Sequence, residues 1–253
     1  MEKIRITAVS YLNTKPLLYG LFKSGLAESI DLQLNIPSVC AQKLKSGAVD
    51  LGLVPVAVIP ELPNPQIISN YCIGTVGTVR TVGIFSQRPI EELDTIYLDF
   101  HSRTSVELVR ILLRDYWQLS PALLPAEPGF EDRTGGTAGA LIIGDRAIEA
   151  EGRYAYFYDL GEAWLHHTGL PFVFAAWVAN KPLSTEFIEA FNQAQELGLQ
   201  HLPQLMFLLP NPAPGFDLRT YFTQNISYAF DAPKHKALNK FLAAIAPSNF
   251  IYA

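Results

Sequence analysis

The sequence predicts an α/β protein of two lobes, each built on a mostly parallel sheet flanked by helices. Strand-like and helix-like segments alternate from the N-terminus, as expected where helices connect parallel strands. A strand-and-turn pattern around Asp50 returns around Asp145, which suggests two units of similar design. Two apolar runs, Val79–Phe85 and Phe172–Val178, have the composition of strands that would serve as hinge crossings between the lobes.

The first half alternates strands with short amphipathic helices. Ser38 is a suitable cap for the second helix, and Gly47 is a suitable end for it. The predicted elements are strand Ile4–Val9, helix Lys15–Ser24, strand Ile30–Ile36, helix Val39–Lys45 and a short strand over Asp50–Pro55.

The second half repeats this alternation and then adds helices that return to the first lobe. We assign residues 1–86 and 175–253 to the first lobe and residues 87–174 to the second. The predicted elements are strand Thr95–Asp99, helix Ser102–Trp117, strand Gly139–Ile143, and helices Ser184–Leu199, Leu218–Tyr228 and Lys234–Ala246.

Composition limits the classes of function. Apolar residues make up 49% of the 253 residues and charged residues 17%, so the chain can bury a large core. The net charge is −5 and no Lys/Arg cluster is present, which argues against a nucleic-acid partner. An anionic small molecule remains compatible with this charge, because helix starts supply local positive potential through their N–H groups.

The N-terminus enters a strand at Ile4 without an apolar leader and small-residue cleavage site. No stretch approaches the ~18 apolar residues that a membrane span needs. We therefore expect a cytoplasmic protein with no membrane segment. Cys40 and Cys72 lie in apolar surroundings without metal-ligand spacing, so we expect buried, reduced thiols.

The first candidate binding segment is the turn that follows the first strand. It contains Ser10, Tyr11, Asn13 and Thr14. Ligands collect at the carboxyl ends of parallel strands, where the next helix presents free N–H groups. These side chains would add hydroxyl and amide donors there. The alternative interpretation is ordinary helix capping, which Asn and Thr perform in many proteins.

The second candidate lies at the same place in the second lobe, where Ser102, Arg103, Thr104 and Ser105 begin a helix. Hydroxyls at a helix start suit a carboxylate or phosphate, because each donates to an anionic oxygen. Capping by Ser102 alone is the simpler alternative, and Arg103 is equally suited to point to solvent. His101 is a candidate proton-transfer group or a spectator beside the cap.

Two further candidates are weaker. Thr81 follows Arg80 on the first crossing, where a hinge strand would line the cleft. Gly144 and Asp145 form a turn after a buried strand, although Asp145 is equally suited to cap the helix that follows.

Several motifs are absent. No G-x-G-x-x-G, G-x-x-x-x-G-K-[ST] or G-x-S-x-G stretch is present, so the sequence has no motif for dinucleotides, nucleoside triphosphates or serine hydrolysis. The five histidines do not form a recognisable metal site. We therefore predict neither a metal nor an organic cofactor.

Segments distributed over most of the chain carry a family pattern. They are Ile6–Leu17, Gly20-Leu21, Leu44–Asp50, Val54-Pro55, Ser102–Ser105, Leu141–Asp145, Tyr158–Trp164 and Thr168–Phe174. The stretches Tyr11–Thr14 and Asp159–Gly161 are specific, whereas the Gly144-Asp145 turn is weak taken alone. Together they resemble chorismate dehydratase, the family that opens the futalosine route to menaquinone.

The resemblance implies a type II periplasmic-binding-protein fold used for catalysis. It implies conversion of chorismate to 3-[(1-carboxyvinyl)oxy]benzoate by loss of water, without a cofactor. Ligand roles would fall on Asn13 and on Thr81, where the family more often has serine, and the hydroxyl-rich helix start would be Ser102, Thr104 and Ser105. Two alternatives remain: a non-catalytic binding protein for a small carboxylate, and the related lyase that makes dihydroxynaphthoate.

Overall fold

The computed structural model describes residues 3–245. The strands are β1 Ile4–Val9, β2 Ile30–Asn35, β3 Leu51–Pro55, β4 Gln66–Thr75, β5 Val82–Ser86, β6 Thr95–Leu98, β7 Ala122–Pro125, β8 Ala138–Ile143, β9 Tyr156–Asp159, β10 Phe172–Ala179 and β11 Ser227–Ala229. The helices are α1 Lys15–Lys23, α2 Pro37–Lys45, α3 Thr104–Leu112, α4 Asp145–Ala150, α5 Leu160–Thr168, α6 Thr185–Gln200, α7 Leu202–Leu208, α8 Leu218–Thr220 and α9 Ala232–Ile245.

These strands form two sheets with helices packed against them, which confirms the predicted two-unit α/β fold. The first sheet has the order β11-β4-β10-β3-β1-β2, and the second has the order β7-β6-β8-β5-β9. Both sheets are mixed rather than mostly parallel. Strands β1, β2 and β3 run parallel, but β10 runs antiparallel to β3 and β4. The reason is that β10 re-enters the first sheet from the second and runs against the strands already there.

The two crossings between the sheets lie mostly outside the apolar runs predicted to form them, and only residues 79–81 of the first run belong to a connection. β5 pairs with β8 and β9 in the second sheet, and β10 pairs with β3 and β4 in the first. The connections are therefore residues 76–81 and 169–171. The predicted boundary after residue 86 separates β5 from its own sheet, because an apolar run does not reveal which distant strand it will pair with.

Capping and turn residues in the sequence predicted most helix starts to within a few residues of their observed positions. Ser184 caps α6 by accepting from the Phe187 N–H at 3.2 Å, as predicted. The predicted cap at Ser38 is wrong, because α2 already begins at Pro37 and has no side-chain cap. A proline is favourable in the first turn of a helix, where its missing N–H is not needed.

The predicted helix Leu218–Tyr228 is also wrong in its second part. The chain leaves α8 through a wider π-type turn at Tyr221–Asn225 and then forms strand β11. The predicted helix from Ser102 continues to Trp117, but its last turn is likewise of the wider type. The strands β4, β7 and β9 were not predicted. The predicted end of the last helix, Ala246, lies outside the described residues.

Close helix packing positions the segment that enters the candidate site. Helix α1, which follows the first candidate turn, lies against α6 through Gly20 and Gly198. A Cβ atom on Gly20 would lie 1.9 Å from the Ala194 carbonyl oxygen, so the two backbones require glycine at this contact.

Within residues 3–245, no helix is both long and apolar enough to cross a membrane.

Candidate active site between the two sheets

A cavity lies where the turn after β1 meets the start of α3 and the turn after β8. It encloses about 530 Å³ of space free of protein atoms, part of it open to solvent. The lining residues are Val9, Tyr11, Asn13, Thr14, Pro37, Pro55, Ile73, Val79, Val82, Ser102, Thr104, Ser105, Ile143, Gly144, Phe174 and Ala175.

The lining is neutral. Among the described lining residues there is no Asp, Glu, His, Lys or Arg, and Tyr11 is the single titratable group. Burial raises the pKa of the Tyr11 phenol, and the nearby Asp99 charge raises it further. The polar surface of the cavity therefore consists of hydroxyls, one carboxamide and backbone groups.

Asn13 lies in a single helical turn, Leu12–Thr14, directly before α1. Its Oδ1 accepts from the Thr14 hydroxyl at 3.2 Å, and its backbone carbonyl accepts from the Tyr228 hydroxyl at 2.8 Å. Neither Asn13 nor Thr14 provides a side-chain cap for α1. The capping alternative therefore does not account for these two residues, which are instead held in place at the cavity wall.

The start of α3 contributes three buried hydroxyls. Ser102 Oγ accepts from the Ser105 N–H at 3.1 Å, so Ser102 does cap the helix start. Thr104 Oγ1 donates to the Phe174 carbonyl at 3.0 Å and accepts from the Ala57 N–H at 3.2 Å, which ties α3 to the first sheet. With Thr104 engaged on both sides, Ser102 and Ser105 are the hydroxyls available to a ligand.

Tyr11 closes one side of the cavity. Its hydroxyl lies 2.7 Å from Nδ1 of His101, and its ring packs on Gly144. A Cβ atom on Gly144 would lie 2.5 Å from the Tyr11 ring, and φ at this residue is +67°.

Asp145 accepts a hydrogen bond from the first lobe, because the Leu12 N–H donates to Asp145 Oδ1 at 2.9 Å. Asp145 therefore connects the two sheets, and the predicted capping role is not observed, because α4 begins at Asp145 itself without a side-chain cap.

An ionic network of one buried and two partly buried side chains lies next to His101. Arg146 pairs with both Asp99 and Glu131, and Asp99 also accepts from the backbone N–H of His101 at 2.9 Å. Burial lowers the pKa of His101, and the Arg146 charge lowers it further. The neutral imidazole is therefore favoured next to Tyr11. Sequence reasoning did not identify Arg146, because its role depends on acidic partners 15 and 47 positions away.

Thr81 lies behind the cavity wall. It is fully buried, and its hydroxyl lies 3.0 Å from the Tyr221 hydroxyl. Burial raises the pKa of Tyr221, whereas its hydrogen bond with Thr81 lowers it. Tyr221 and Tyr228 were both missed by sequence reasoning, because the segment that carries them was predicted as a plain helix.

The structure thus brings together most of the predicted site residues. Those that line the cavity are Tyr11, Asn13, Thr14, Ser102, Thr104, Ser105 and Gly144. Ser10 donates its N–H to the Asn35 carbonyl at the sheet edge. Arg103 is exposed and is not among the residues that line the cavity. It lines an open groove with Lys45 and Arg110, and this groove adjoins the cavity at Ser102.

Metal ligands are not clustered in the described chain. Within residues 3–245, no three or more His, Cys, Asp or Glu side chains lie close enough together to hold a metal ion. The two cysteines are free and buried.

Comparison with solved structures identifies the fold. The chain superimposes on an Archaeoglobus fulgidus protein with a TM-score of 0.70 at 13% identity, covering 96% of both chains. A Candida albicans protein, described as having the generic periplasmic-binding-protein fold, matches with a TM-score of 0.61 at 11% identity, covering 98% of this chain and 92% of that one. The fold is therefore that of the periplasmic binding proteins, as the sequence resemblance implied.

Comparison of sequences identifies the family. A curated chorismate dehydratase from Thermus thermophilus is 27% identical over 226 residues, which cover 77% of each protein. The family model described as menaquinone biosynthesis matches residues 4–247. That match includes both sheets and every cavity residue, and the chain belongs to the menaquinone biosynthesis family.

Proposed function

We propose that this protein is a chorismate dehydratase, a hydro-lyase that converts chorismate to 3-[(1-carboxyvinyl)oxy]benzoate and water without a cofactor. The observation that carries the proposal is the neutral cavity between the sheets, with Asn13 on one side and Ser102 and Ser105 on the other. The family match and the Thermus thermophilus relative support the same reaction.

The cavity suits a dianion although none of its described lining residues carries a cationic side chain. Carboxylates are stabilised by hydroxyl and N–H donors at helix starts, where the helix dipole is positive. The starts of α1 and α3 face the cavity from opposite sheets, through Thr14 and Ser105. We assign one carboxylate of chorismate to each of these two starts.

The reaction needs little chemical help from the protein. Loss of the C4 hydroxyl and the C3 proton as one water leaves a benzene ring, so aromatisation supplies most of the driving force. The protein must orient the ring, donate to the departing hydroxyl and exclude bulk water. We assign the donor role to the Asn13 carboxamide. We propose that the enolpyruvyl carboxylate of the substrate itself accepts the C3 proton and then passes it to the departing hydroxide, so that one water leaves and the carboxylate is restored.

The test is incubation of the purified protein with chorismate, without added metal or cofactor, followed by chromatography with mass detection. We expect a product lighter by one water with a benzoate absorbance. Asn13→Ala should abolish it, whereas Asn239→Ala, a change on the exposed face of α9, should not. Tight binding of unchanged chorismate by the wild-type protein would instead indicate a binding protein and would contradict the proposal.

A further inference from the structure

The open groove lined by Lys45, Arg103 and Arg110, which we call the outer groove, adjoins the cavity. It contains about 1950 Å³ of space free of protein atoms, part of it open to solvent. Its lining comes from α2 and the turn Val56–Glu61, which follow strands of the first sheet, and from α3, which follows a strand of the second. The outer groove therefore lies along the line where the two halves of the molecule meet.

The border between the outer groove and the cavity lies at Ser102, which lines both spaces. A hydrogen bond crosses between the two halves on each side of this residue. The Ser38 N–H donates to the His101 carbonyl at 3.1 Å. The Ala57 N–H donates to Thr104 Oγ1 at 3.2 Å. A ligand that enters where the two halves separate at this border passes from the outer groove into the cavity.

The outer groove carries more positive than negative charge. Three cationic side chains and two carboxylates line it, which leaves an excess of one positive charge. Two of the cations are paired inside the groove. Lys45 Nζ lies 2.6 Å from Glu61 Oε2, and Arg110 Nε lies 3.7 Å from Glu107 Oε1. The excess charge therefore belongs to the third cation, Arg103.

Arg103 forms no ion pair with any residue of the range 3–245. Its side chain is exposed, whereas its neighbours Ser102 and Thr104 are buried and line the cavity. An unneutralised guanidinium thus lies in open solvent within one residue of two hydroxyls of the cavity wall.

The position of this charge matters because the rest of the molecule opposes an anion. The whole chain has a net charge of −5, and the described residues that line the cavity carry no cation. A dianion that approaches such a protein is repelled on average. A local positive charge at the mouth of a cleft raises the local concentration of anions and their rate of association.

We propose that the outer groove is where chorismate, as a dianion, is first attracted to the protein, and that the Arg103 guanidinium steers it towards the cavity without holding it in the bound state. This inference rests on the proposed function. It assigns Arg103 to the approach of the substrate, in place of the substrate contact that the sequence predicted.

The test compares kcat/KM for chorismate between wild type and Arg103→Gln at about 0.01 M and about 1 M salt. The Debye length falls from about 30 Å to about 3 Å over this range, so long-range attraction is strong only at low salt. At low salt, Arg103→Gln should lower kcat/KM about fivefold, as expected for a unit charge and a dianion separated by about 8 Å of water, and leave kcat unchanged. At high salt the difference should fall below about twofold.

Arg103→Lys distinguishes a steering charge from a binding contact. Lysine keeps the charge but lacks the planar fork with which arginine holds a carboxylate. We therefore expect Arg103→Lys to retain the wild-type kcat/KM within about twofold. If Arg103→Lys is as slow as Arg103→Gln, if either variant lowers kcat, or if the loss persists at high salt, Arg103 contacts the bound substrate and the inference is wrong.

Glu61→Gln changes the charge of the outer groove in the opposite direction. It removes an exposed carboxylate and leaves Lys45 without its partner. The low-salt kcat/KM should therefore rise about twofold to fivefold, a gain that structural damage does not produce. A Glu61→Gln enzyme no faster than wild type at low salt would contradict the steering role.

The control for a change in net charge is Arg88→Gln. Arg88 is exposed and lies beyond the far end of β5, whose first residue, Val82, lines the cavity. It lines neither the cavity nor the outer groove. Arg88→Gln should leave kcat/KM within about twofold at both salt concentrations, and a low-salt loss equal to that of Arg103→Gln would reject a local effect of the groove.

A readout without turnover separates this inference from the proposed function. Stopped-flow tryptophan fluorescence measures the association rate constant of chorismate with wild type and with Arg103→Gln, and we expect the same fivefold difference at low salt. If a protein that does not dehydrate chorismate shows this difference, the proposed function fails and the steering role stands. An active enzyme in which Arg103→Gln changes neither association nor kcat/KM rejects the steering role alone, and absence of chorismate binding rejects both.

Discussion

The Tyr11 hydroxyl lies 2.7 Å from Nδ1 of His101, although 90 positions separate the two residues in the chain. Tyr11 follows a strand of the first sheet, and His101 follows a strand of the second. Next to this contact, the Leu12 N–H donates to Asp145 Oδ1 at 2.9 Å. The two hydrogen bonds hold the sheets together at the edge of the cavity.

Tyr11→Phe should weaken this closure while leaving the ring in place. A lost hydrogen bond of about 0.5–1.5 kcal/mol corresponds to a twofold to twelvefold change in an equilibrium constant, so we expect KM for chorismate to rise by about that factor. Steady-state kinetics measures the change. The control is Tyr116→Phe, which changes an exposed ring in the last turn after α3. It should leave KM for chorismate unchanged. An unchanged KM for Tyr11→Phe would show that the contact does not contribute to binding.

Gly144→Ala should damage both stability and binding. Gly144 has φ +67° and ψ −147°, a conformation reserved almost entirely for glycine, and the added methyl would overlap the Tyr11 ring. Gly136→Ala is the matched control, because Gly136 has φ +56° but open space around its Cβ position. Urea unfolding should give a loss of about 1–2 kcal/mol for the control and a larger one for Gly144→Ala. Equal losses would contradict the Tyr11 contact.

His101 should make the protein less stable in acid. Burial lowers its pKa, and Arg146 lowers it further against the opposing Asp99 and Glu131 charges. Below about pH 6.5 the unfolded chain therefore binds a proton that the folded protein does not, so the free energy of unfolding falls as the pH falls towards the lowered pKa.

The change that checks this is His101→Asn, which keeps a polar atom near Tyr11 but removes the titration. Urea unfolding at pH 7.5 and pH 5.0 should show a smaller loss of stability in the variant than in the wild-type protein. His166→Asn, at an exposed position on α5, serves as the control. An identical acid loss in wild type and His101→Asn would rule out this contribution.

Asp159→Ala should destabilise the first crossing strongly. The carboxylate accepts four backbone N–H groups, those of Val79, Arg80, Gly161 and Glu162. Removing it should lower the free energy of unfolding by about 3 kcal/mol or more, since several buried donors lose their partner. Asp217→Ala, which removes an exposed cap of α8, should cost only about 1 kcal/mol. Comparable losses for the two variants would contradict the proposed importance of the crossing.

The two cysteines should not react in the native protein. Burial raises the pKa of Cys40 to about 11 and that of Cys72 to about 12, and the thiolate is the reactive form. A chromogenic thiol reagent at pH 8 should therefore modify neither thiol until urea unfolds the chain. Rapid labelling of a native thiol would show that its side chain is open to solvent.

The sequence by itself determined the α/β class, the turn that carries Asn13 and the hydroxyl-rich start of α3. Each of these depends on a short-range signal: the spacing of apolar residues, a cap such as Ser184, or the order of strand, turn and helix. Hydrogen bonds between neighbouring residues and the burial of one face generate such signals, so a few residues are enough to predict the element.

The tertiary structure alone decided the partners of these elements. The apolar run at β5 is compatible with either sheet, and only long-range pairing with β8 and β9 assigns it to the second. Thr81 meets Tyr221 across 140 positions, and Arg103 is absent from the cavity lining although its neighbours Ser102 and Thr104 belong to it. Which side chains meet at such distances depends on how the whole chain packs, because no local spacing records the contact between residues that far apart.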